Sequence, residues 1–288
     1  MTQGRTIGVG LIGASIQQSK SPAMHETEAE ALGLDLHYSL FDLKALGVGL
    51  GALPEILRRA EAQGFAGVNV THPCKQAVIP LLDELSDDAR VIGAVNTVVF
   101  RDGRRYGYNT DEWGFREAFH RQMAGASLER VVQLGAGGAG AATAHAMLEL
   151  GAGTLSLIDA DPHRAHGLAK TLEAHFGAGR VTATNDLPAA LRDASGLVHA
   201  TPTGMADHPG LPLDAALLRP QMWVAEIVYF PLNTPFLKAA RAIGCRVVDG
   251  GGMAVFQAAK AFELFTGVTP DAERMLERFR SEFDQPIG

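Results

Sequence analysis

The sequence predicts an α/β protein made of two α/β domains, with the last helices returning to the first. Three observations predict it. From Arg130 to Asp161 a β-rich run, a glycine turn, an alanine-rich helix, a second β-rich run and an acid follow one another. The chain ahead of that stretch alternates β-rich and helical segments in the order βαβαβα, without a phosphate-binding glycine turn. Beyond it, β-rich stretches at 181–183, 196–200, 223–228 and 246–248 extend the second sheet. Residues 1–111 and 250–288 are thereby assigned to one domain and 112–249 to the other.

Taken in order, Thr6–Ile12 is β-rich and ends at Gly13. Ser19-Lys20-Ser21-Pro22 opens a helix running to Leu32, with Ser21 as N-cap and Pro22 at its first position. Leu36–Phe41 alternates as a strand, 53–62 has helical spacing, and Ala66–Val70 is a third strand ending in Thr71-His72-Pro73-Cys74-Lys75. A helix is expected from Lys75 to Leu85. Ser86-Asp87-Asp88 reads as a helix cap, and Asp102-Gly103 between two β-rich arms reads as a hairpin turn. Two Asn-Thr pairs, Asn96-Thr97 and Asn109-Thr110, lie on those arms; Asp111 follows the second and precedes a helix from Glu112 to Met123.

In the central unit Gly135, Gly137 and Gly140 fit G-x-G-x-x-G within Gly135-Ala136-Gly137-Gly138-Ala139-Gly140. The first glycine permits the tight turn, the second lets backbone N–H groups approach a diphosphate, and the third lets helix and sheet pack closely. Asp159 ends the second strand about 20 residues further on, where a ribose-binding acid belongs. Such glycines alone also fit a small-residue packing turn, but strand, helix and acid agree here. This is the pattern of a Rossmann-type dinucleotide-binding domain. Asp161-Pro162 caps the next helix, and 201–212, rich in Pro, Gly, His and Asp, is a loop at a strand's carboxyl end, where open α/β sheets bind ligands. Two amphipathic helices follow from Met253.

With 288 residues, 47% of them hydrophobic and 20% charged, the chain can bury two ordinary cores. A net charge of -7 and no Lys/Arg run argue against nucleic acid or an anionic membrane as partner. Cys74 and Cys245 have no CxxC spacing and read as buried small hydrophobes in a reducing compartment. The N-terminal apolar run is too short for a signal peptide, and no stretch reaches a membrane span, so a cytoplasmic protein is expected.

Ser19, Ser21, Asn69, Thr71, Lys75, Asn96 and Asp111 collect at strand ends and helix starts of the first domain. Neutral hydrogen-bonding groups with one base and one acid suit a small polyhydroxylated substrate, and Lys75 is the candidate proton carrier at an alcohol being oxidised. Each also has a plainer role: Ser21 and Asp111 as helix caps, Asn96 and Asn109 in turns, Lys75 as a solvated first-turn residue.

The chain resembles the shikimate dehydrogenases, and among them the NAD-preferring bacterial quinate/shikimate dehydrogenases. The resemblance rests on SKSPAMH (19–25), GVNVTHPCK (67–75), GAVNT (93–97), NTD (109–111), GAGGAG (135–140), ATPTGM (200–205), YFPLNT (229–234) and DGGGMAVFQ (249–257). It implies a substrate-binding first domain in which Ser19 and Ser21 bind the substrate carboxylate, while Thr71, Asn96 and Gln257 hold ring hydroxyls. Lys75 and Asp111 are then the catalytic pair and Tyr229 lies near the substrate. Thr201, Thr203, Gly204 and Met205 would flank the cofactor, with Val228 and Gly250 near the nicotinamide. The implied reaction is reversible oxidation of the C3 hydroxyl of shikimate or quinate by a monomer or homodimer. Two rivals are a dehydrogenase for another cyclic hydroxy acid such as aminoshikimate, and a non-catalytic NAD-binding sensor.

Three positions depart from the family pattern. Asp159-Ala160-Asp161 stands where NADP-using members carry Asn-Arg-Thr; a carboxylate accepts ribose hydroxyls and repels a 2′-phosphate, so NAD is expected over NADP. Arg164, one turn on, can stack on adenine or hold a phosphate. Cys74 replaces a larger residue, and His199 stands where Asn is common. His163 and His166 beside Asp159 and Asp161 read as an exposed helix start, so no metal is expected. His25 and His72 read as packing or supporting residues.

Overall fold

A computed structural model describes residues 6–283. In chain order its elements are β1 (Ile7–Gly13), α1 (Ser21–Ala31), β2 (Leu36–Asp42), α2 (Leu53–Ala62), β3 (Phe65–Val70), α3 (Cys74–Ala77), β4 (Glu84–Leu85), α4 (Asp87–Ile92), β5 (Thr97–Arg101), β6 (Arg104–Tyr108) and α5 (Thr110–Gln122). Then come β7 (Arg130–Leu134), α6 (Gly138–Glu149), β8 (Thr154–Ile158), α7 (Pro162–Phe176), β9 (Val181–Ala183), α8 (Leu187–Arg192), β10 (Gly196–His199), β11 (Trp223–Glu226), α9 (Pro235–Ile243), β12 (Arg246–Val248), α10 (Gly250–Thr266) and α11 (Ala272–Phe283). Among the described residues no helix is long and apolar enough to cross a membrane.

The chain divides into two units, one running up to Thr110 and resuming at Gln257, the other Asp111–Phe256. The first unit's sheet has the order β2-β1-β3-β5-β6-β4, with β1 parallel to β2 and β3, and β5 antiparallel to β3 and β6. Asp102 and Gly103 both take positive φ, 52° and 70°, the geometry that a two-residue hairpin turn demands. Because side chains alternate across a strand, Val98 faces a core with Leu57, Val68 and Val70, while Val99 faces another with Val9, Leu11 and Tyr38. Phe262 and Phe265 of α10 complete the second core, and Arg274 of α11 grips the buried Glu28 of α1 through Nε (3.0 Å) and Nη2 (2.6 Å). The closing helices thus return to the first unit, as their apolar faces required.

The second unit's sheet is wholly parallel in the order β12-β11-β10-β7-β8-β9. Numbered within the unit, this is the doubly wound order 3-2-1-4-5-6. Its strands are apolar on both faces, as helices covering both sides require: Val131, Leu155, Leu157, Leu197, Val198 and Val224 are all buried.

Several local expectations are corrected. The helix expected from Lys75 to Leu85 stops at Ala77; Pro80 sits in a single 3-10 turn, Ile79–Leu81, and β4 then pairs with β6. Ser21 is the first residue of α1 rather than its cap, and its backbone N–H donates to Ser19 Oγ at 3.2 Å. α8 and α9 were not anticipated, although Asp186 and Thr234 cap them ahead of a proline in the usual way. Residues 250–256 lie with the second unit, not the first. The reason is steric: a Cβ on Gly250 would sit 2.4 Å from Ile227 O, and one on Gly252 would sit 2.8 Å from Ala118 Cβ, so the start of α10 is seated on second-unit backbone and α5.

Candidate active site

In the first unit, side chains from four elements form one hydrogen-bonded row. The Ser21 hydroxyl donates to the Tyr38 phenol, which donates to Asn69 Oδ1 at 2.8 Å. Asn69 Nδ2 donates to Thr97 Oγ1 (3.0 Å), and Thr97 donates to Asn96 Oδ1 (3.1 Å), which also accepts the Thr110 backbone N–H at 2.7 Å. Burial holds the Tyr38 phenol above its ordinary pKa, so it remains a donor. Ser21 and Asn96, both predicted site residues, are thereby joined through Tyr38, Asn69 and Thr97. The sequence reading had no place for Tyr38, whose polar tip at a buried strand position was its only signal, and it noted Thr97 as the partner of Asn96 without giving it a role.

Thr71 follows β3, half-buried, and its methyl fills the space in front of Gly13, where a Cβ would lie 2.4 Å away. Lys75 is the second residue of α3, half-buried, and its carbonyl accepts the Val95 N–H at 2.9 Å, tying it to the chain that enters Asn96. Cys74 beside it is fully buried, and burial pushes its thiol up to about 11, so it packs and does not react. Ser19 and Gln257 are half-buried, the latter on α10. Asp42 supports this region: it accepts backbone N–H groups of Ser15 (2.9 Å) and Ile16 (3.0 Å), fixing the approach to Ser19.

In the second unit, Gly135 has φ 101°, and a Cβ on it would meet Ala200 O at 2.5 Å and Thr201 Cγ2 at 3.2 Å. The glycine turn and the loop after β10 therefore touch. Gly140 is tighter still, with Gly135 O 2.3 Å from its would-be Cβ. The fully buried Gln133 binds the turn from below, donating to Gly135 O (2.8 Å) and Gly140 O (2.7 Å) and accepting from Thr143 Oγ1 (3.0 Å). Gln133 was missed from sequence; a polar residue inside an apolar strand just before a glycine turn was the available signal. Gly140→Ala is expected to abolish measurable binding of a reduced dinucleotide and to lower stability by about 3 kcal/mol, since backbone must yield to backbone; wild-type fluorescence titration and denaturation curves would remove that account of the turn.

Open space lies over Gly137, and α6 starts there without a side-chain cap. Backbone N–H groups at a helix start with no Cβ in front suit a diphosphate. Ala136, Gly138 and Ala139 line the same turn, partly exposed. Asp159 is half-buried, accepting Ala136 N–H (2.7 Å) and Asp161 N–H (2.9 Å), so it also holds the turn. Its remaining lone pairs suit two ribose hydroxyls. Arg164 is exposed and lies 3.5 Å from Asp161 Oδ2. Val228 is buried and its carbonyl lies 2.6 Å from where a Gly250 Cβ would be, so those two predicted residues meet. Thr203 is half-buried and Met205 is 42% exposed in the same loop. Asp111 is buried near the start of α5, and Tyr229 keeps 43% of its surface open. Desolvation and then the Asp111 charge raise the Tyr229 pKa, which brings these two into one electrostatic neighbourhood.

One grouping with metal-ligand chemistry appears among the described residues where the sequence reading placed none. His145, Glu149 and His175 hold ligand atoms within 4.8 Å of one another, with only His145 buried. Glu149 ends α6, about 17 Å of helix from the glycine turn.

Fold and site together define an α/β protein whose second unit is a doubly wound dinucleotide-binding unit and whose first carries a row of neutral hydrogen-bonding groups. Residues 11–98 match the shikimate dehydrogenase substrate binding domain, and 250–278 the shikimate 5′-dehydrogenase C-terminal domain. The shikimate dehydrogenase (NADP(+)) of Streptomyces avermitilis is 59% identical over 93% of either chain, and the quinate/shikimate dehydrogenase (NAD(+)) of Corynebacterium efficiens 45% identical over 96% of this chain and 98% of its own. Quinate dehydrogenase from Corynebacterium glutamicum, solved in complex with NAD, superposes with a TM-score of 0.91 at 43% identity, covering 96% of this chain and 99% of that one. The chain belongs to the shikimate dehydrogenase family.

Proposed function

We propose that this chain is an oxidoreductase that reversibly oxidises the C3 hydroxyl of quinate, shikimate or both to the 3-dehydro ketone, using NAD in preference to NADP. The observation that carries the cofactor preference is Asp159, a carboxylate at the end of β8 held against the glycine turn through Ala136. Its charge opposes a 2′-phosphate of about -1.5 to -2 charges and welcomes ribose hydroxyls. Arg164 Nε lies 3.5 Å from Asp161 Oδ2, so a second carboxylate stands beside this guanidinium. The NADP reading has its support in the relatives at 59%, 53% and 50% identity, each a shikimate dehydrogenase (NADP(+)).

When bound, the oxidised dinucleotide supplies the hydride acceptor. The chain supplies the rest. Ser19 and Ser21 hold the substrate carboxylate; Thr71, Asn96 and Gln257 hold ring hydroxyls, and Tyr229 is a further substrate-binding residue. Lys75 takes the proton of the C3 hydroxyl as the ketone forms and returns it in the reverse direction, and Asp111 is the second catalytic residue. The neutral row from Ser21 to Asn96 supports this reading, because each ring hydroxyl needs a donor and an acceptor held at fixed positions.

The test is a matrix of initial rates, shikimate and quinate against NAD and NADP. Turnover with at least one acid and a larger kcat/KM for NAD is expected. NADH binding without turnover on any ring acid would replace the enzyme by a sensor. Asp159→Asn is expected to lower the NAD/NADP ratio of kcat/KM about tenfold, the size of one charge-assisted hydrogen bond. An unchanged ratio would move ribose reading to another residue.

A further inference from the structure

We propose that His199 is a positioning residue for the bound dinucleotide: clamped by Glu226, it fixes the Thr201 hydroxyl beside the glycine turn. The proposal rests on the dinucleotide-binding part of the function proposed above.

His199 and Glu226 are register partners at the carboxyl ends of β10 and β11, and their side chains are fully sealed from solvent. His199 Nδ1 lies 2.7 Å from Glu226 Oε1, and its Nε2 lies 2.5 Å from Thr201 Oγ1. The other carboxylate oxygen of Glu226 accepts from the hydroxyl of Thr234, which also receives the Leu237 N–H at 3.1 Å and so caps α9. Phe236 closes the ring edge-on at 5.6 Å. The chain of bonds therefore runs from the start of α9, through two strands, to the loop after β10.

Glu226 and Thr201 hold the two ring nitrogens of His199 from opposite sides, and the Thr201 hydroxyl also accepts the Thr203 N–H at 3.4 Å. A Cβ on Gly135 would stand 3.2 Å from the Thr201 methyl, and one on Gly204 would stand 3.6 Å from Glu226 Oε1. The glycine turn and the 201–205 loop thus both rest on this assembly. Burying a carboxylate is costly, and an apolar pair would serve stability as well. What an apolar pair would not do is fix the position of one hydroxyl at the ligand-binding end of the sheet, within reach of a polar group of the dinucleotide.

His199→Asn tests this, because the Asn amide replaces Nδ1, keeps Glu226 partnered and loses Thr201. NADH fluorescence titration should show Kd raised about tenfold, with the ring-acid KM changed less than twofold and the melting temperature held. Thr201→Val should weaken NADH similarly, and the double variant should be no worse than the poorer single, the signature of two groups acting as one. Glu226→Gln, which keeps the shape and loses the charge, should raise Kd at least threefold. Wild-type NADH affinity in His199→Asn and Glu226→Gln, equal losses for NADH and acid, or additive effects in the double variant would each overturn the proposal. Wild-type protein that binds NADH but turns over no acid sinks only the proposed reaction, since the affinity comparison is still read; wild-type protein that binds no dinucleotide sinks both.

Discussion

Lys75→Ala is expected to lower kcat by about 10² to 10⁴, the usual contribution of a positioned proton carrier, while NADH binding stays within twofold. The separation of effects is the informative part. Lys75 belongs to the first unit, anchored by the Val95 N–H to its carbonyl and flanked by the buried Cys74, whereas the glycine turn belongs to the second. Removal of the ammonium leaves the backbone of α3 and its anchor intact, so a fall in kcat reports on the lost proton carrier. Lys75→Arg should not rescue, because a guanidinium does not release its proton at neutral pH. Near-wild-type turnover in Lys75→Ala, measured with saturating acid and NAD, would take the proton-carrier role away from this residue.

The second large effect is on stability rather than rate. His25 of α1 is fully buried among Tyr38 (4.9 Å between ring centroids), Phe262 and Phe265, and neither ring nitrogen has a hydrogen-bond partner. Burial alone lowers its pKa to about 3, from 6.5. The unfolded chain therefore takes up a proton below pH 6.5 that the folded chain refuses until about pH 3. Stability from this group is complete above pH 6.5 and is lost as pH falls toward 3. At about 1.4 kcal/mol per pH unit the loss reaches about 2 to 3 kcal/mol by pH 4.5. His25→Leu is expected to flatten that slope, and at pH 8 to match or exceed wild type, since it removes two unsatisfied nitrogens from an apolar site. Parallel urea midpoints for the two proteins between pH 7 and 4.5 would show that His25 is not held neutral.

Asp159 and His199 show how far the residues themselves could be read. Asp159 was legible as the acid closing the second strand of a nucleotide unit, since that spacing follows from strand and helix lengths. Its grip on Ala136 N–H was not, because a hydrogen bond across 23 residues depends on how β8 lies beside β7. His199 had no assignable role while its partner was unknown; Glu226 lies 27 residues away and meets it only because β10 and β11 pair in that register. Tyr38 and Asn69 follow the same logic. Asn69 was legible as a candidate polar residue at a strand end and Tyr38 was not, and only the pairing of β1 with both β2 and β3 brings their side chains within 2.8 Å.

The sequence by itself determined the alternation of strands and helices, the glycine turn with its helix and acid, the hairpin at Asp102-Gly103, and the family. All of these depend on neighbours within a few dozen residues, where periodicity, turn chemistry and motif spacing operate. The tertiary structure alone decided that residues 84–85 pair as a strand, which unit receives the start of α10, and which polar side chains are wired together. Those outcomes turn on contacts between residues remote in the chain: backbone meeting Gly250, a strand pairing that captures residues 84–85, and buried donors that must find acceptors wherever the sheets place them.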